Sequence, residues 1–478
     1  MRYNILSCLL LIVLCTGCKK FVQIGPPNTE VVTASVFNSN GNVTSALLGI
    51  YISMFNNAES WSMAQNQGLL SDELTNYSTN LPNIQFYTNS MLALDNNGNW
   101  NNAYNYIYQA NALIAGLKNN SNIGPPIVQQ ITGESLFIRA FWHFYLTNMY
   151  GAIPVVTTTE YTRNASISRT PRPQVYTQII QDLQDAQSLL NPYYVDATDT
   201  AQSTERVRPT KAAAEAMLAR VYLYTNKFDS AEAEATMVIN NSNLYSLDSN
   251  LSLLMGPNSV FLMNSTEAIW QLYTPQPASE NTVDAQNFIL TSAPNTRSGN
   301  SATISPELLN AFEPGDLRKT NWIGVYSTTD SPAINYYFPY KYQAFNVSTP
   351  TEYTMVLRLA EQYLIRAEAR AQQNNPTGAV QDLNTIRLRA GLGAYSGGMD
   401  ETSILAAILH ERQVELFSEW GHRWFDLNRT GAADSVMGTP GQNICNLKGG
   451  EWKSDWQLYP IPQTEISTDN HLTQNPGY

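Results

Sequence analysis

The chain has 478 residues and a formal net charge of −12, from 27 basic and 39 acidic side chains. Proteins that bind nucleic acid or dock on anionic lipid need basic patches, so this acidic balance argues against both classes. Only 14% of the residues are charged, whereas Asn, Ser, Thr and Gln are abundant. Such a surface suits neutral, hydroxyl-rich ligands.

The N-terminus has the pattern of a bacterial lipoprotein signal. Arg2 is followed by an uncharged, apolar run over residues 5–15. This run is too short to cross a bilayer, which takes about 20 helical residues, but it suits the core of a secretory signal. Small residues precede Cys18, so we expect lipidation of Cys18, with a plain signal peptide cut nearby as the alternative. Beyond the signal and anchor only Cys445 remains, and no internal disulfide is expected.

Apolar residues at helical spacing predict helices that occur in pairs. The predicted helices cover residues 43–55, 100–117, 127–150, 174–190, 211–225, 228–240, 355–372, 376–390 and 403–420. We expect the helix at 127–150 to pack against the helix at 174–190. The helices at 211–225 and 228–240 are joined by a two-residue turn and predict a hairpin, as do those at 355–372 and 376–390.

Two of these hairpins share a pair of small residues twelve positions apart, Ala219 with Ala231 and Ala367 with Ala379. Small residues at this separation are typical of the closest contact within a tetratricopeptide unit. The hairpins are far apart in the sequence, so the units are dispersed. The sequence therefore predicts an all-α fold of about four tetratricopeptide-like helix pairs, with long irregular insertions and short strands.

The predicted insertions cover residues 60–99, 152–172 and 242–352. They are rich in Gly, Pro, Asn, Ser and Thr, which indicates surface loops, and loops of this length are commonly functional. The first and third also contain many aromatic residues. Sugar rings stack on aromatic faces, so we expect a ligand to contact exposed rings here, although each ring could instead anchor its own loop. The candidate ligand-binding residues are Trp61, Tyr77, Trp322 and Tyr336.

Metal and catalytic motifs are weak in this sequence. Residues 95–99 offer oxygen ligands for calcium, but Trp100 stands where an EF-hand needs Gly. We interpret the segment as a turn that caps the next helix, and expect no cofactor and no metal site. The four histidines form no paired metal motif, and no G-x-S-x-G elbow occurs. A glycosidase carboxylate pair would leave no sequence pattern.

A charged motif near the C-terminus has alternating signs at helical spacing. We interpret it as structural, because unlike charges four residues apart, such as Glu419 and Arg423, support a helix and its exit loop. An acid–base catalytic cluster is the alternative. The motif comprises Glu411, Arg412, Glu415, Glu419, His422, Arg423, Asp426 and Arg429.

Several stretches in chain order carry a family resemblance. They are A-L-L-G-I-Y at 46–51, W-x-x-x-Y-x-x-I at 100–107, R-A-F-W at 139–142, Y-L-I-R-A-E-A at 363–369, L-N-x-I-R at 383–387, G-H-R-W-F-D-L at 421–427 and L-Y-P-I-P at 458–462. With them the chain resembles, over nearly its whole length, the SusD/RagB family of outer-membrane nutrient-binding lipoproteins of Bacteroidetes.

The resemblance implies a protein without catalytic activity that captures oligosaccharides, or in some members peptides, for a TonB-dependent SusC-like transporter. It implies a lipid anchor in the outer membrane, facing the cell surface. Lys19 and Lys20 replace the acidic residues common after the anchor in surface-exposed members. A surface glycan hydrolase and a protein-binding scaffold are the alternatives from other classes.

The resemblance also implies a simple domain organisation. Residues 1–17 would be the signal peptide and 18–478 a single SusD-like domain. Within it we expect an N-terminal helical part at 18–241, a loop-rich insertion at 242–352, and a C-terminal helical and irregular part at 353–478.

Overall fold

The computed structural model describes residues 33–94, 98–248, 251, 260–275, 282–294, 300–439 and 443–478. Within these residues the chain is mostly helical, with three two-stranded antiparallel sheets. The predicted class, helices with short strands, is confirmed. The expected lipidation site Cys18 lies outside the described residues, and so do 95–97 of the calcium-loop candidate.

The N-terminal half is built from ten helices and one short strand within the described residues. In chain order they are α1 (Thr33–Val36), α2 (Asn40–Asn56), α3 (Glu59–Leu70), β1 (Leu74–Asn76), α4 (Leu81–Tyr87), α5 (Gly98–Leu117), α6 (Pro125–Tyr150), α7 (Tyr161–Asn164), α8 (Arg172–Leu189), α9 (Lys211–Tyr224) and α10 (Phe228–Asn240).

The middle of the chain contains short elements only. They are β2 (Ala268–Leu272), α11 (Val283–Phe288), β3 (Ala302–Ile304), α12 (Pro306–Ala311), α13 (Leu317–Asn321), β4 (Ile323–Ser327) and β5 (Asn335–Pro339). The C-terminal part comprises β6 (Thr354–Arg358), α14 (Leu359–Gln372), α15 (Pro376–Arg389), α16 (Glu401–Leu416), α17 (His422–Arg429), α18 (Ala433–Gly438), α19 (Ile444–Leu447), a 3₁₀ turn at Ser454–Gln457 and α20 (Gln463–Thr468).

The long helices stack in a continuous series. Helix α6 packs on α5 and on α8, as predicted, and α8 packs on α9. The hairpin α9–α10 then packs through α10 onto α14 of the second hairpin. The four alanines of the two hairpins are fully buried, so the helices approach closely where the small side chains lie. The dispersed pairs therefore pack in one continuous series.

Helix α6 forms the centre of the main core. Pro125 opens it, where the missing N–H of proline does no harm, and Gly151 ends it with a positive φ of 75°. From Gly133 to Tyr150 every side chain is buried. Rings of Phe141 and Trp420 lie 5.4 Å apart in this core, which links the centre of the chain to its C-terminal part.

Three predicted boundaries are wrong, one of them the end of the helix predicted at 403–420, which stops at Leu416. The insertion at 60–99 begins not with a loop but with α3, most of which is buried. The prediction missed this helix because its glutamines and asparagines interrupt the apolar periodicity. The helix predicted at 355–372 begins only at Leu359, since Thr354–Arg358 forms a strand paired with Ala268–Leu272. Tertiary pairing here overrides the local helical pattern.

Candidate functional site

Two of the four candidate ligand residues meet on the surface. Tyr77 follows β1, and Tyr336 lies on β5. Strand β1 pairs with β3, which packs beside β5, so the two rings come together edge to face with centroids 5.6 Å apart and planes at 84°. Tyr77 is 37% exposed and Tyr336 is half-buried.

Two further tyrosines extend this pair. Tyr326 stands directly opposite Tyr336 in the β4–β5 hairpin, and opposite residues of an antiparallel pair share one face. Tyr87, at the end of α4, has its hydroxyl hydrogen-bonded to Thr75 of β1. Thr75 pairs with Thr303, which is the hydrogen-bond partner of the Tyr77 hydroxyl, so both tyrosines reach the same face of this small sheet. We call Tyr77, Tyr87, Tyr326 and Tyr336 the tyrosine patch. All four rings are partly exposed.

The patch combines ring surface with hydroxyl groups. The hydroxyl of Tyr77 is hydrogen-bonded to Thr303, and burial raises its pKa. The ring of Tyr87 lies 5.2 Å from the ammonium of Lys448. Partly exposed tyrosines present an apolar body and a polar tip. The patch can therefore stack on a sugar ring and exchange hydrogen bonds with its hydroxyls.

Trp322 does not belong to this surface. Its side chain is 4% exposed, with its ring centroid 5.6 Å from that of Phe261 and 4.8 Å from the Lys341 ammonium. It directly follows α13, whose Arg318 carbonyl accepts its backbone N–H, and the ring turns into a second core. The expectation that Trp322 is an exposed ligand residue is therefore wrong, and the alternative of a ring that anchors its loop applies.

Trp61 lies apart from the patch, on the first turn of α3. It is half-buried at the edge of a depression of about 340 Å³. The lining is mostly amide and hydroxyl side chains, which come from α3, α4, the start of α5 and the turn before α3. The lining residues are Asn57, Glu59, Trp61, Ser62, Gln65, Asn66, Pro82, Asn83, Phe86, Gly98, Asn99 and Asn102.

Glu59 is the one ionisable residue among those that line this depression. It is 1% exposed, and its carboxylate accepts hydrogen bonds from Asn102 at 2.8 Å and from the Tyr106 hydroxyl at 2.9 Å. Burial outweighs these bonds and raises its pKa to about 7. The depression therefore carries at most one negative charge, which is only partly present at neutral pH.

The charged C-terminal motif is buried and serves to join distant segments. Glu415 accepts hydrogen bonds from Arg318 at 2.9 Å and from Arg358 at 2.6 Å. Glu419 pairs with Arg358, whereas Arg423 pairs with Asp72. The structural interpretation stands, but the expected pairing of Glu419 with Arg423 is wrong, because the chain turns sharply between α16 and α17.

The described residues contain neither a cluster of metal ligands nor a membrane-spanning helix. No group of three or more His, Cys, Asp or Glu is placed to hold a metal ion there. His143 is fully buried, and burial lowers its pKa to about 3. In the same part of the chain, no helix is both long and apolar enough to cross a membrane.

Sequence reasoning missed two features of this region. It did not single out Tyr326, which could have been found from the two tyrosine-containing strands of one hairpin. It also missed the amide-lined depression, although Ser62, Gln65 and Asn66 follow one another at helical spacing. Polar residues at such spacing indicate a helix face that meets either solvent or a ligand.

Two family models match separate parts of the chain. One, described as the SusD family, matches residues 318–478. The other, described as starch-binding and associating with the outer membrane, matches residues 25–223.

Individual proteins are similar over longer spans. SusD-like protein P2 of Formosa agariphila is 28% identical over 427 residues, covering 79% of this chain and 80% of its own. The starch-binding protein SusD of Bacteroides thetaiotaomicron is 30% identical over 179 residues, or 36% of this chain and 30% of its own.

Solved structures share the fold. A SusD superfamily protein from Bacteroides vulgatus superposes with a TM-score of 0.76 at 18% identity, covering 92% of this chain and all of its own. A laminarin-binding SusD-like protein superposes with a TM-score of 0.72 at 25% identity, covering 91% of this chain and 98% of its own.

Proposed function

Because this chain belongs to the SusD family of non-catalytic binding proteins, we propose that it captures oligosaccharides at the outer membrane and passes them to a transporter. The observation that carries the proposal is the tyrosine patch. Four partly exposed rings on neighbouring strands and a helix end offer stacking surface to a ligand.

The ligand class follows from the chemistry of the patch and from similar proteins. Neutral sugars offer apolar C–H faces to tyrosine rings and hydroxyls to polar tips. Among the similar proteins, one is named starch-binding and another laminarin-binding. Both polysaccharides are neutral glucans, so neutral oligosaccharides are the first ligands to test. A peptide ligand is the outcome to expect if no sugar binds.

The location and the partner are parts of the same proposal. A lipid on Cys18 would hold the protein at the outer membrane, facing the cell surface, in keeping with the family described as associating with that membrane. The partner would be a TonB-dependent, SusC-like transporter. We further propose one domain at 18–478 after a signal peptide at 1–17, with the insertion at 242–352 supplying β4 and β5 to the patch.

The proposal predicts that binding depends on the tyrosine patch. Tyr77→Ala and Tyr336→Ala should each weaken binding of maltohexaose or laminarihexaose by about 5- to 150-fold, since loss of one stacking contact costs about 1–3 kcal/mol by analogy with stacked bases. Isothermal titration calorimetry measures the change, with circular dichroism to verify folding.

Tyr161→Ala is the matched control. Tyr161 is 81% exposed on α7, outside the patch, so its loss should leave affinity unchanged. Equal affinity of the parent and both patch variants would disprove the role of the patch. If the parent protein binds peptides but neither sugar, the ligand class is peptide and the glycan assignment is wrong.

A further inference from the structure

The depression around Trp61 is separated from the tyrosine patch by α4. Pro82, Asn83 and Phe86 of this helix line the depression, whereas Tyr87 at its end belongs to the patch. We propose that the depression is a second glycan subsite, which holds the end of a neutral sugar chain. This inference rests on the proposed function and adds a second point of contact to it.

The lining is suited to hydroxyl groups. Each asparagine or glutamine side chain offers two N–H donors and a carbonyl acceptor, and a sugar hydroxyl both donates and accepts. Asn102 and Asn99 are bonded to Glu59, in the case of Asn102 at 2.8 Å. The amide of Asn66 lies 3.4 Å from the Ser62 hydroxyl. A bond of this length is weak, so the Asn66 amide can turn to a ligand.

Two buried polar atoms of the lining residues lack a partner within the described part of the chain. They are the indole Nε1 of Trp61 and the side-chain Oε1 of Gln65. Gln65 is 4% exposed. Buried polar groups are nearly always hydrogen-bonded, and an unpaired one destabilises the fold. Both atoms are closed to solvent in this conformation, so a ligand in the depression would reach them after a turn of the Trp61 or Gln65 side chain, and would then supply the missing partners.

The volume and the charge of the depression limit the class of ligand that it can hold. A volume of about 340 Å³ lies near the lower end of the roughly 300–1,000 Å³ typical of small-molecule sites, which suits the end of a chain better than its middle. No Lys, Arg or His lines the depression, and its one carboxyl, that of Glu59, is largely desolvated. Uronic or sulfated sugars would find no cation there, so we expect neutral sugars to be preferred.

The test uses Gln65→Leu, which removes the unpaired acceptor and keeps the side-chain size. Affinity for maltohexaose or laminarihexaose should fall about 2- to 12-fold, the equivalent of one net hydrogen bond. Thermal stability should stay equal or rise, because a buried unpaired group is gone. Gln381→Leu, at an exposed glutamine on α15, is the matched control and should change neither quantity.

A second readout follows the Trp61 indole N–H directly by NMR of tryptophan-labelled protein, with the signal assigned by Trp61→Phe. Titration with either neutral hexasaccharide should shift this signal, also in the Tyr77→Ala variant, whereas a galacturonate hexamer should not. The indole N–H of Trp420 donates to the Met355 carbonyl at 2.8 Å in the core, and its NMR signal should not shift.

The outcomes separate this inference from the proposed function. Patch-dependent binding by calorimetry without a Trp61 shift would overturn the second subsite alone. A shift that disappears with Tyr77→Ala would show that the depression is no separate subsite. Failure of both neutral sugars to bind the parent would overturn the proposed function and this inference with it. An equal response to the galacturonate hexamer would overturn the preference for neutral sugars.

Discussion

Lys341 joins the loop-rich middle region to the C-terminal helices. Its ammonium donates to the Glu419 carboxylate at 2.5 Å and to the Glu415 carbonyl at 2.8 Å. The rings of Phe417 and Trp322 lie 4.0 and 4.8 Å from it. Burial lowers the pKa of this amine to about 8, and the ring faces offset part of the loss of water. Trp322 thus belongs to a buried cation site.

At this scale we predict that Trp322→Ala destabilises the protein by about 3–5 kcal/mol, the usual effect of truncating a buried tryptophan. Trp322→Phe, which keeps a ring beside the ammonium, should destabilise it less. Urea denaturation monitored by circular dichroism measures both. Unchanged stability together with lost sugar binding would show instead that Trp322 is a ligand-binding residue.

At the scale of elements, the two alanine hairpins show how helix pairs that are far apart in the sequence pack together. Ala219 and Ala231 are fully buried in the first hairpin, and Ala367 and Ala379 in the second. Helix α10 also bonds to α14 at its surface, where Glu232 pairs with Arg370 at 2.8 Å. Small residues set the spacing, and polar pairs at the rim fix the alignment.

We predict that Ala219→Trp or Ala367→Trp destabilises the fold by about 1–3 kcal/mol or more, because a large ring cannot enter the contact without moving a helix. Ala233→Trp is the control, since Ala233 is exposed on α10. Thermal melting compares the three variants. If all melt with the parent, close packing at these alanines is disproved.

The long helices could be predicted from sequence because their apolar period is local, and the observed helices α5, α6, α8, α9 and α10 begin and end within a few residues of the predictions. The strand at Thr354–Arg358 could not, since only its pairing with Ala268–Leu272 defines it. The meeting of Tyr77 with Tyr336 was likewise beyond prediction, because it depends on how β3 packs beside β5. Burial of Trp322 depends on tertiary contacts in the same way.

At the scale of the whole molecule, several carboxyls are held in the interior without a full ion pair. Burial raises the pKa of Glu59, Asp284 and Glu352 to about 7 and that of Glu73 to about 8. In the unfolded chain these groups ionise near pH 4. The folded state therefore binds more protons than the unfolded state between these values, and stability falls as pH rises through this window.

We predict a free energy of unfolding that decreases from pH 6.5 to pH 8. Unfolded histidines titrate near pH 6.5, so buried His143 opposes the effect only at the lower end of this range, and the lowered pKa of Lys341 opposes it only at the upper end. The buried carboxyls outnumber these groups, so the net change is a decrease. Urea denaturation at several pH values measures it. Asp284→Asn, which keeps the acceptor for Ser60, should flatten the slope. A stability that rises with pH over this range would contradict the assignment.

The buried pairs between Asp72 and Arg423 and between Arg318 and Glu411 have a consequence for the time course of folding. Each joins an early or middle segment to the last part of the chain, so the native core closes only when the C-terminal helices have been made. Contacts of such long sequence separation form slowly. A newly made chain would therefore complete its native core only after its last helices have been synthesised.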